Sequence, residues 1–430
     1  MKKILKKIII TIITLEAKLV LLRFKPKIIA ITGSVGKTST KDAVFSALSD
    51  SIHIRKNQKS FNSEIGVPLT ILGLDNGYND FFKWLTNIFE GLLVLFTKKY
   101  PERLVLEVGV DRPGDMEHMM RWIKIDIAIF TRFPNVPAHV EYFSSPKEVI
   151  NEKKKMLLGV KPDGYVVLNA DDSEVLKIKD VCKRKVMTFG IENDADVKVS
   201  NEEIMYDSAL RPTGVNFKVD YNKNSIPVKI KGVLGRQHIY PVLAGMICGI
   251  IEGITPVQVS EAMEKHQSAP GRMTILWGMK DSIIIDDSYN ASPVAVQEAL
   301  KVLGKIQSNG KKIAVLGDMS EIGKYTANEH KIIGKMVNDL HIDYLFTLGK
   351  RAEFFAEEAI KTGMSVENIF IFNEYGELTK KLKEVIEKGS IILIKGSQMI
   401  RAEKIVKEIM YEPELAKDLL VRQDIFWLDN

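Results

Sequence analysis

Cysteine is almost missing from this chain: Cys182 and Cys248 are the only two in 430 residues. That excludes a disulfide-stapled scaffold, and the spacing excludes a cysteine metal centre. Both read as structural thiols in a reducing compartment. Apolar runs of about 20 residues, the length of a spanning helix, are also lacking. No block of basic residues interleaved with aromatics is present, which argues against nucleic acid as a partner. Repeats and low-complexity tracts are absent too.

What remains is ordinary globular material, 45% apolar and 27% charged. The length suits two or three domains with cores of their own. A net charge of +6 fits an anionic substrate such as ATP, although a lysine-rich composition accounts for it equally well.

The N-terminus is less ordinary. Lys2, Lys3, Lys6 and Lys7 precede the apolar run Ile8–Leu15, and Glu16 and Lys18 interrupt it before Leu19–Leu22. No small-residue cleavage site follows, so a signal peptide is not indicated. Two readings stay open: a helix packed on the first domain, or an interfacial helix giving peripheral membrane contact through residues 1–24. Localisation is accordingly expected to be cytoplasmic, either free or peripheral to the inner face of the membrane.

Beyond residue 26 the pattern alternates. Lys27–Thr32 reads as a buried parallel strand, with a helix through Leu48. Strands are expected at Leu104–Val110, Asp126–Thr131 and Tyr165–Asn169, with helices at Asp115–Ile123 and Lys147–Leu158. Short alternating segments at Val215–Val219 and Ile226–Ile230 suggest a small antiparallel β insertion, followed by a helix near Val242–Glu252. After Ser268–Gly271, a linker by composition, strands and helices alternate again to Met410. The fold class expected is α/β: a P-loop central domain with a mostly parallel sheet, then a Rossmann-like C-terminal domain. The boundaries expected are an apolar helix at 1–25, the ATP-binding domain at 26–268 and the C-terminal domain at 269–430.

Gly33-Ser34-Val35-Gly36-Lys37-Thr38-Ser39 lies where a strand hands over to a helix. Glycines let the backbone turn tightly so that N–H groups converge on an anion. Lys37 can reach the β- and γ-phosphates, and the Thr38 hydroxyl can ligate Mg²⁺. The longer P-loop pattern has glycine where Ile31 stands, so this is the shorter Thr-Gly-x-x-Gly-Lys-Thr form. The loop alone does not separate kinases, motors, GTPases and ligases.

Six further segments do. FNSEIGVPLT (61–70), LEVGVDRPGDM (106–116), AHVEYFSSPKEVINEKKKML (138–157), YVVLNADD (165–172), PGR with IIDDSYNASP (270–272, 284–293) and VLGDMSEIG with IKGS (315–323, 394–397) follow in order. With the loop, the chain resembles the Mur ligase family, and its MurF-like members that join D-Ala-D-Ala to a UDP-MurNAc-tripeptide. The resemblance implies an ATP-dependent ligase of peptidoglycan synthesis acting through an acyl phosphate, with two Mg²⁺ ions. Its partners would be a small-molecule carboxylate and an amine or dipeptide.

The resemblance also implies residue roles. Lys37, Glu107, His139 and Lys153 are expected to be catalytic. Thr38, Glu107, His139 and Lys153 would hold the metals, with Lys153 as a carbamate formed from CO₂. Without the family, Lys153-Lys154-Lys155 reads as a solvated charge run, and the register among the three lysines stays open. Arg272, Asp287 and Asn290 would hold ATP from the C-terminal domain. Asn62, Ser63, Lys395 and Ser397 would face the peptide and amine substrates.

Three departures stand out. Only some 26 residues precede the first strand, so the usual N-terminal UDP-sugar-binding domain is expected to be missing and a separate partner could supply it. Pro241 replaces an asparagine that contacts adenine. Gln398 replaces the arginine after Lys-Gly-Ser, and Arg401 is a candidate to compensate. Alternatives kept open are a Mur-type ligase for another acid and a non-catalytic nucleotide-binding partner of a cell-wall complex.

Overall fold

The computed structural model describes residues 3–57, 62, 64–78, 80–134, 142–320, 322–424 and 427, with side chains from Ile8 onward. Two sheets organise it. The first holds nine strands in the order β2-β3-β1-β4-β5-β6-β7-β8-β9. These are β1 (Lys27–Thr32), β2 (Ile54–Lys56), β3 (Arg103–Glu107), β4 (Ile125–Phe130), β5 (Val160–Asn169), β6 (Lys185–Gly190), β7 (Val197–Tyr206), β8 (Pro212–Tyr221) and β9 (Asn224–Lys231). Pairing is parallel from β2 to β7 and antiparallel from β7 to β9. The expected antiparallel β insertion is present, with Val215–Val219 in β8 paired to Ile226–Ile230 in β9. It continues the parallel sheet, because β7 pairs with β6 at Phe189↔Val197.

The helices are α1 (Lys3–Phe24), α2 (Lys37–Ser49), α3 (Gly66–Leu72), α4 (Phe81–Val94), α5 (Asp115–Met120), α6 (Pro146–Lys154), α7 (Ser173–Leu176), α8 (Ile178–Val181), α9 (Arg236–Ile251) and α10 (Pro256–Glu264). Strand β1 shows why both sheet faces must be covered. Ile29 and Ile31 enter one core, with Val44 and Leu48 of α2 and Val242 and Leu243 of α9. Ile28 and Ala30 enter the other, with Ile13 of α1 and Leu69 of α3. Side chains alternate across a strand, so an unbroken apolar run serves two cores at once.

Helix α1 buries Ile9, Ile13, Ala17 and Val20 in that second core. It crosses α4 closely: a Cβ on Gly91 would fall 2.2 Å from Glu16 Oε2. The buried Glu16 carboxyl has one oxygen without a hydrogen-bond partner among the described residues. Burial pushes its pKa up to about 7, since desolvation disfavours the ionised form. α3, α4 and α10 fall in stretches that sequence reading left unassigned.

The second sheet has the order β10-β11-β15-β12-β13-β14. Its strands are β10 (Thr274–Trp277), β11 (Ile283–Asp287), β12 (Lys312–Gly317), β13 (Tyr344–Leu348), β14 (Ile369–Phe372) and β15 (Ile391–Lys395). Only β10 is antiparallel. Helices α11 (Pro293–Lys305), α12 (Thr326–Asp339), α13 (Glu353–Lys361), α14 (Tyr375–Val385) and α15 (Glu403–Ile409) cover it. Asp287 and Lys395 are register partners at the ends of neighbouring parallel strands. The carboxyl ends of both sheets supply the site between them, as open α/β sheets commonly do.

Candidate active site

The loop between β1 and α2 is held by β4. Ser34 N–H donates to Arg132 O at 2.8 Å, and Thr131 Oγ1 donates to Val35 O at 2.7 Å. Two glycines make this possible. A Cβ on Gly33 would fall 1.9 Å from Thr131 Oγ1, and Gly36 caps α2 with φ at 85°. The loop's N–H groups and the first turn of α2 then meet at one point, which favours an anion.

Lys37 opens α2 beside that point. Burial lowers its pKa, opposed by Glu107 and Asp111, while Arg272 adds to the lowering. A bound polyphosphate would reverse this, because opposite charge favours the ammonium. Glu107, fully buried at the end of β3, is held from two sides. Thr38 Oγ1 donates to its Oε2 at 2.9 Å, and Asn62 Nδ2 donates to its Oε1 at 3.1 Å.

Lys153 lies behind the loop and not in the cleft wall. Its Nζ donates to Gly33 O and to Ser34 Oγ, both at 3.0 Å. Burial pushes its pKa far down, and Lys37 nearby pushes the same way. Lys154 pairs instead with Glu174, and Lys155 with Glu152. One residue turns a helix by about 100°, so only one of three consecutive lysines can face inward.

The second sheet forms the opposite wall. Lys395 Nζ donates to Asp287 Oδ2 at 2.5 Å and to Asn290 O at 2.9 Å. Burial raises the Asp287 pKa, and Lys395 and Arg272 hold it back. The Arg272 guanidinium sits 4.1 Å from the Tyr289 ring centroid, and its buried Nε has no partner among the described residues. That donor is available to a ligand in the cleft. The cleft encloses about 360 Å³, within the roughly 300–1,000 Å³ of small-molecule sites.

Of the residues named from sequence, Ser34, Val35, Gly36, Lys37, Thr38, Ser39, Asn62, Glu107, Arg272, Asp287, Asn290 and Lys395 all line this cleft. Gly33, the first residue of the loop, does not line the cleft. Ser397 is buried, accepting from Ser320 Oγ at 2.9 Å, and does not line the cleft. His139 and Ser63 lie outside the described residues. Arg401 does not stand in for the missing arginine. It is turned to Glu403 and the backbone oxygen of Trp427, whereas Gln398 itself lines the cleft.

Sequence reading missed Arg132, Phe189, Tyr240 and Tyr289, which also line it. Arg132 was findable, since it follows a parallel strand's carboxyl end. Tyr240 was not, because its place depends on donating to Asp171 Oδ2 at 3.0 Å, 69 residues away. His238 stands on α9, three residues before Pro241. Its Nε2 meets Arg272 O at 2.7 Å and its Nδ1 meets Ser268 Oγ at 3.0 Å. Burial pushes its pKa down to about 4, so a neutral imidazole ties α9 to the segment joining the two sheets.

Thr38 and Glu107 offer a hydroxyl and a carboxylate to a hard cation. Mg²⁺ commonly takes one or two carboxylates and fills its remaining positions from phosphates and water, so this pair fits one ion. No cluster of three metal-binding acids, histidines or cysteines occurs among the described residues.

Comparison with known proteins agrees with this geometry. The Mur ligase middle domain matches residues 31–249, and the Mur ligase, glutamate ligase domain, matches residues 271–398. The UDP-N-acetylmuramoyl-tripeptide–D-alanyl-D-alanine ligase of Bacillus subtilis is 28% identical, over 92% of this chain and 79% of its own. The Escherichia coli enzyme of that name is 26% identical, over 89% of this chain and 76% of its own. In fold, MurF from Acinetobacter baumannii superposes with a TM-score of 0.76 at 23% identity, covering 92% of this chain and 79% of that one. MurF from Thermotoga maritima, solved with ADP, gives 0.75 at 24%, covering 95% and 84%. With both domain matches in order along one chain, this protein belongs to the Mur ligase family and is an ATP-dependent ligase.

Proposed function

We propose that this ligase joins D-Ala-D-Ala, or a similar amine, to the carboxylate of a muramoyl-peptide acceptor in peptidoglycan synthesis. The observation that carries the reading is the cleft between the sheets. It sets a phosphate loop, a Thr38–Glu107 pair and the Arg272–Asp287–Lys395 wall around one space. A carboxylate does not condense with an amine unaided, because its oxygen leaves poorly. Its oxygen attacks the γ-phosphorus of ATP, ADP leaves, and an acyl phosphate forms. The amine then attacks the acyl carbon, phosphate leaves, and the amine proton is released.

In this scheme Lys37 and the loop N–H groups hold the phosphates and offset charge during the transfer. Arg272 reaches the nucleotide from the far wall, so closure of the two halves assembles the site. Mg²⁺ held by Thr38 and Glu107 supplies further charge neutralisation when bound. A second ion would draw on Glu107, His139 and Lys153.

The test is coupling. ADP release should require ATP, UDP-MurNAc-tripeptide and D-Ala-D-Ala together. Release with this acceptor omitted, or no product with this pair, counts against the reading.

We also propose that Lys153 accepts CO₂. A neutral amine is needed, and the depressed pKa of the buried side chain supports one. The nitrogen would bond to the carbon, lose a proton to solvent and become an oxygen-ligating anion. A second reading is favoured by its two hydrogen bonds to the loop: a plain amine that props Gly33 and Ser34. Labelled ¹³C-bicarbonate should give a carbamate carbon signal in NMR that Lys153→Ala removes. Silence in the parent protein leaves the prop alone.

A further inference from the structure

Helices α1 and α4 lie side by side, and each turns an apolar stripe to solvent. On α1 the stripe is Ile8, Leu15, Leu19 and Leu22. On α4 and its C-terminal flank it is Phe82, Leu85, Phe89, Leu92, Leu93 and Phe96, with Phe82 and Phe96 each 77% exposed. Every exposed phenylalanine among the described residues lies on α4 or directly beyond it. Exposed apolar stripes on two helices packed against each other are uncommon on a monomer with nothing to meet.

Charge says what it would meet. Residues 1–25 carry seven lysines and arginines against one acid, Glu16, a net of +6. Residues 78–100 carry three lysines against two acids, a net of +1. The whole chain has +6, so the remaining residues sum to −1. The basic surplus is therefore gathered on the segments that expose the apolar face. Glu16, the one acid of α1, is buried beneath it. Arg23 and Lys25 at the end of α1, and Lys98 and Lys99 beyond α4, are exposed. The hydroxyls of Thr86 on α4 and Thr97 beyond it are already engaged: Thr86 Oγ1 donates to Phe82 O at 3.0 Å, and Thr97 Oγ1 to Val94 O at 2.9 Å.

We propose that α1 and α4 together form a docking face for an anionic lipid bilayer, with the phenylalanine and leucine stripes entering the headgroup boundary and the flanking lysines and arginines meeting the phosphates. Amphipathic helices rich in aromatic and basic residues bind such surfaces lying flat. Spanning is not involved, since no helix among the described residues is long and apolar enough to cross. The face shares α3 with the cleft: α1 packs on α3, and Asn62 at the cleft precedes α3 in the chain. Docking here would set the acceptor side of the ligase beside the bilayer.

Flotation of the full chain with phosphatidylcholine vesicles, with and without phosphatidylglycerol, tests this. Each surface lysine or arginine contributes about 1 kcal/mol toward an anionic leaflet, a factor of roughly five. Partitioning onto phosphatidylglycerol vesicles should exceed that onto phosphatidylcholine by about tenfold or more, and salt should weaken it. The triple variant Phe82→Ser, Phe89→Ser, Phe96→Ser should lose the partitioning while keeping its melting temperature and ligase rate. No partitioning on anionic vesicles, or partitioning that survives the triple variant, overturns the proposal. So does a lipid-independent dimer that the triple variant dissociates, which would make the face an interface between copies.

Discussion

Lys37→Met should lower the rate of ATP-dependent amide formation by about 10²–10³-fold, the usual effect of removing one preorganised charge donor. The side chain opens α2 against the phosphate loop, and no other lysine among the described residues lines the loop side of the cleft. Lys153 cannot replace it, because its Nζ is directed at Gly33 O and Ser34 Oγ from behind. The substitution should not cost stability without nucleotide. Burial depresses the Lys37 pKa, so the folded state pays for the charged form below its ordinary pKa. In the parent, stability without nucleotide should therefore rise as pH rises toward the unfolded lysine value, and Met should flatten that slope. The melting temperature of the variant should match or exceed the parent's, while the added stabilisation from Mg-ATP shrinks. Unchanged product formation in the variant would remove Lys37 from the chemistry.

Lys395→Met should destabilise the second sheet by about 3–5 kcal/mol, the range for breaking a buried ion pair from one side. That corresponds to a fall in melting temperature on the order of 10 °C for a unit of this size. The reason is Asp287, which loses the ammonium 2.5 Å away and is left buried. Its folded pKa, already raised by burial, would rise further above the unfolded value. An acid with a raised folded pKa destabilises above the unfolded pKa and is relieved as pH falls. The penalty should accordingly shrink in acid, and scanning calorimetry across pH would show it. The double variant Lys395→Met, Asp287→Asn should recover much of the loss, because it removes the orphaned charge. Equal melting of the single variant and the parent at neutral pH would mean that the pair carries no net stability.

The sequence was most legible where one short segment settles its own shape. KIIAIT followed by a glycine turn can bury only as a central strand leading into a helix. Its glycines announce the tight loop because a Cβ at Gly33 has no room. The alternation after Gly271 was legible for a similar reason, since Tyr344–Leu348 and Ile391–Lys395 are short, mostly apolar runs between helices. The antiparallel strands of the β insertion were legible, but their attachment was not, because antiparallel hairpins look alike whether they stand alone or extend a sheet. Only the parallel pairing of β7 with β6, at Phe189↔Val197 and Gly190↔Lys198, joins them to the sheet. Sequence raised an interfacial helix at residues 1–24, but the part that α4 plays beside it was not legible. Nothing local in Phe81–Phe96 says which phenylalanines will lie outward beside another helix.

By itself, then, the sequence determined the phosphate loop, the alternating strands and the family, because these depend on neighbours in the chain. Tertiary structure decided which of Lys153, Lys154 and Lys155 is buried behind the loop. It also decided that Lys395 pairs with Asp287, that Arg401 is turned away from the cleft, and that Arg272 lies over Tyr289 with an Nε that has no partner among the described residues. Such outcomes rest on burial and charge between side chains from different strands and helices. Desolvation and Coulomb energy depend on distance in space, and only the fold sets that distance.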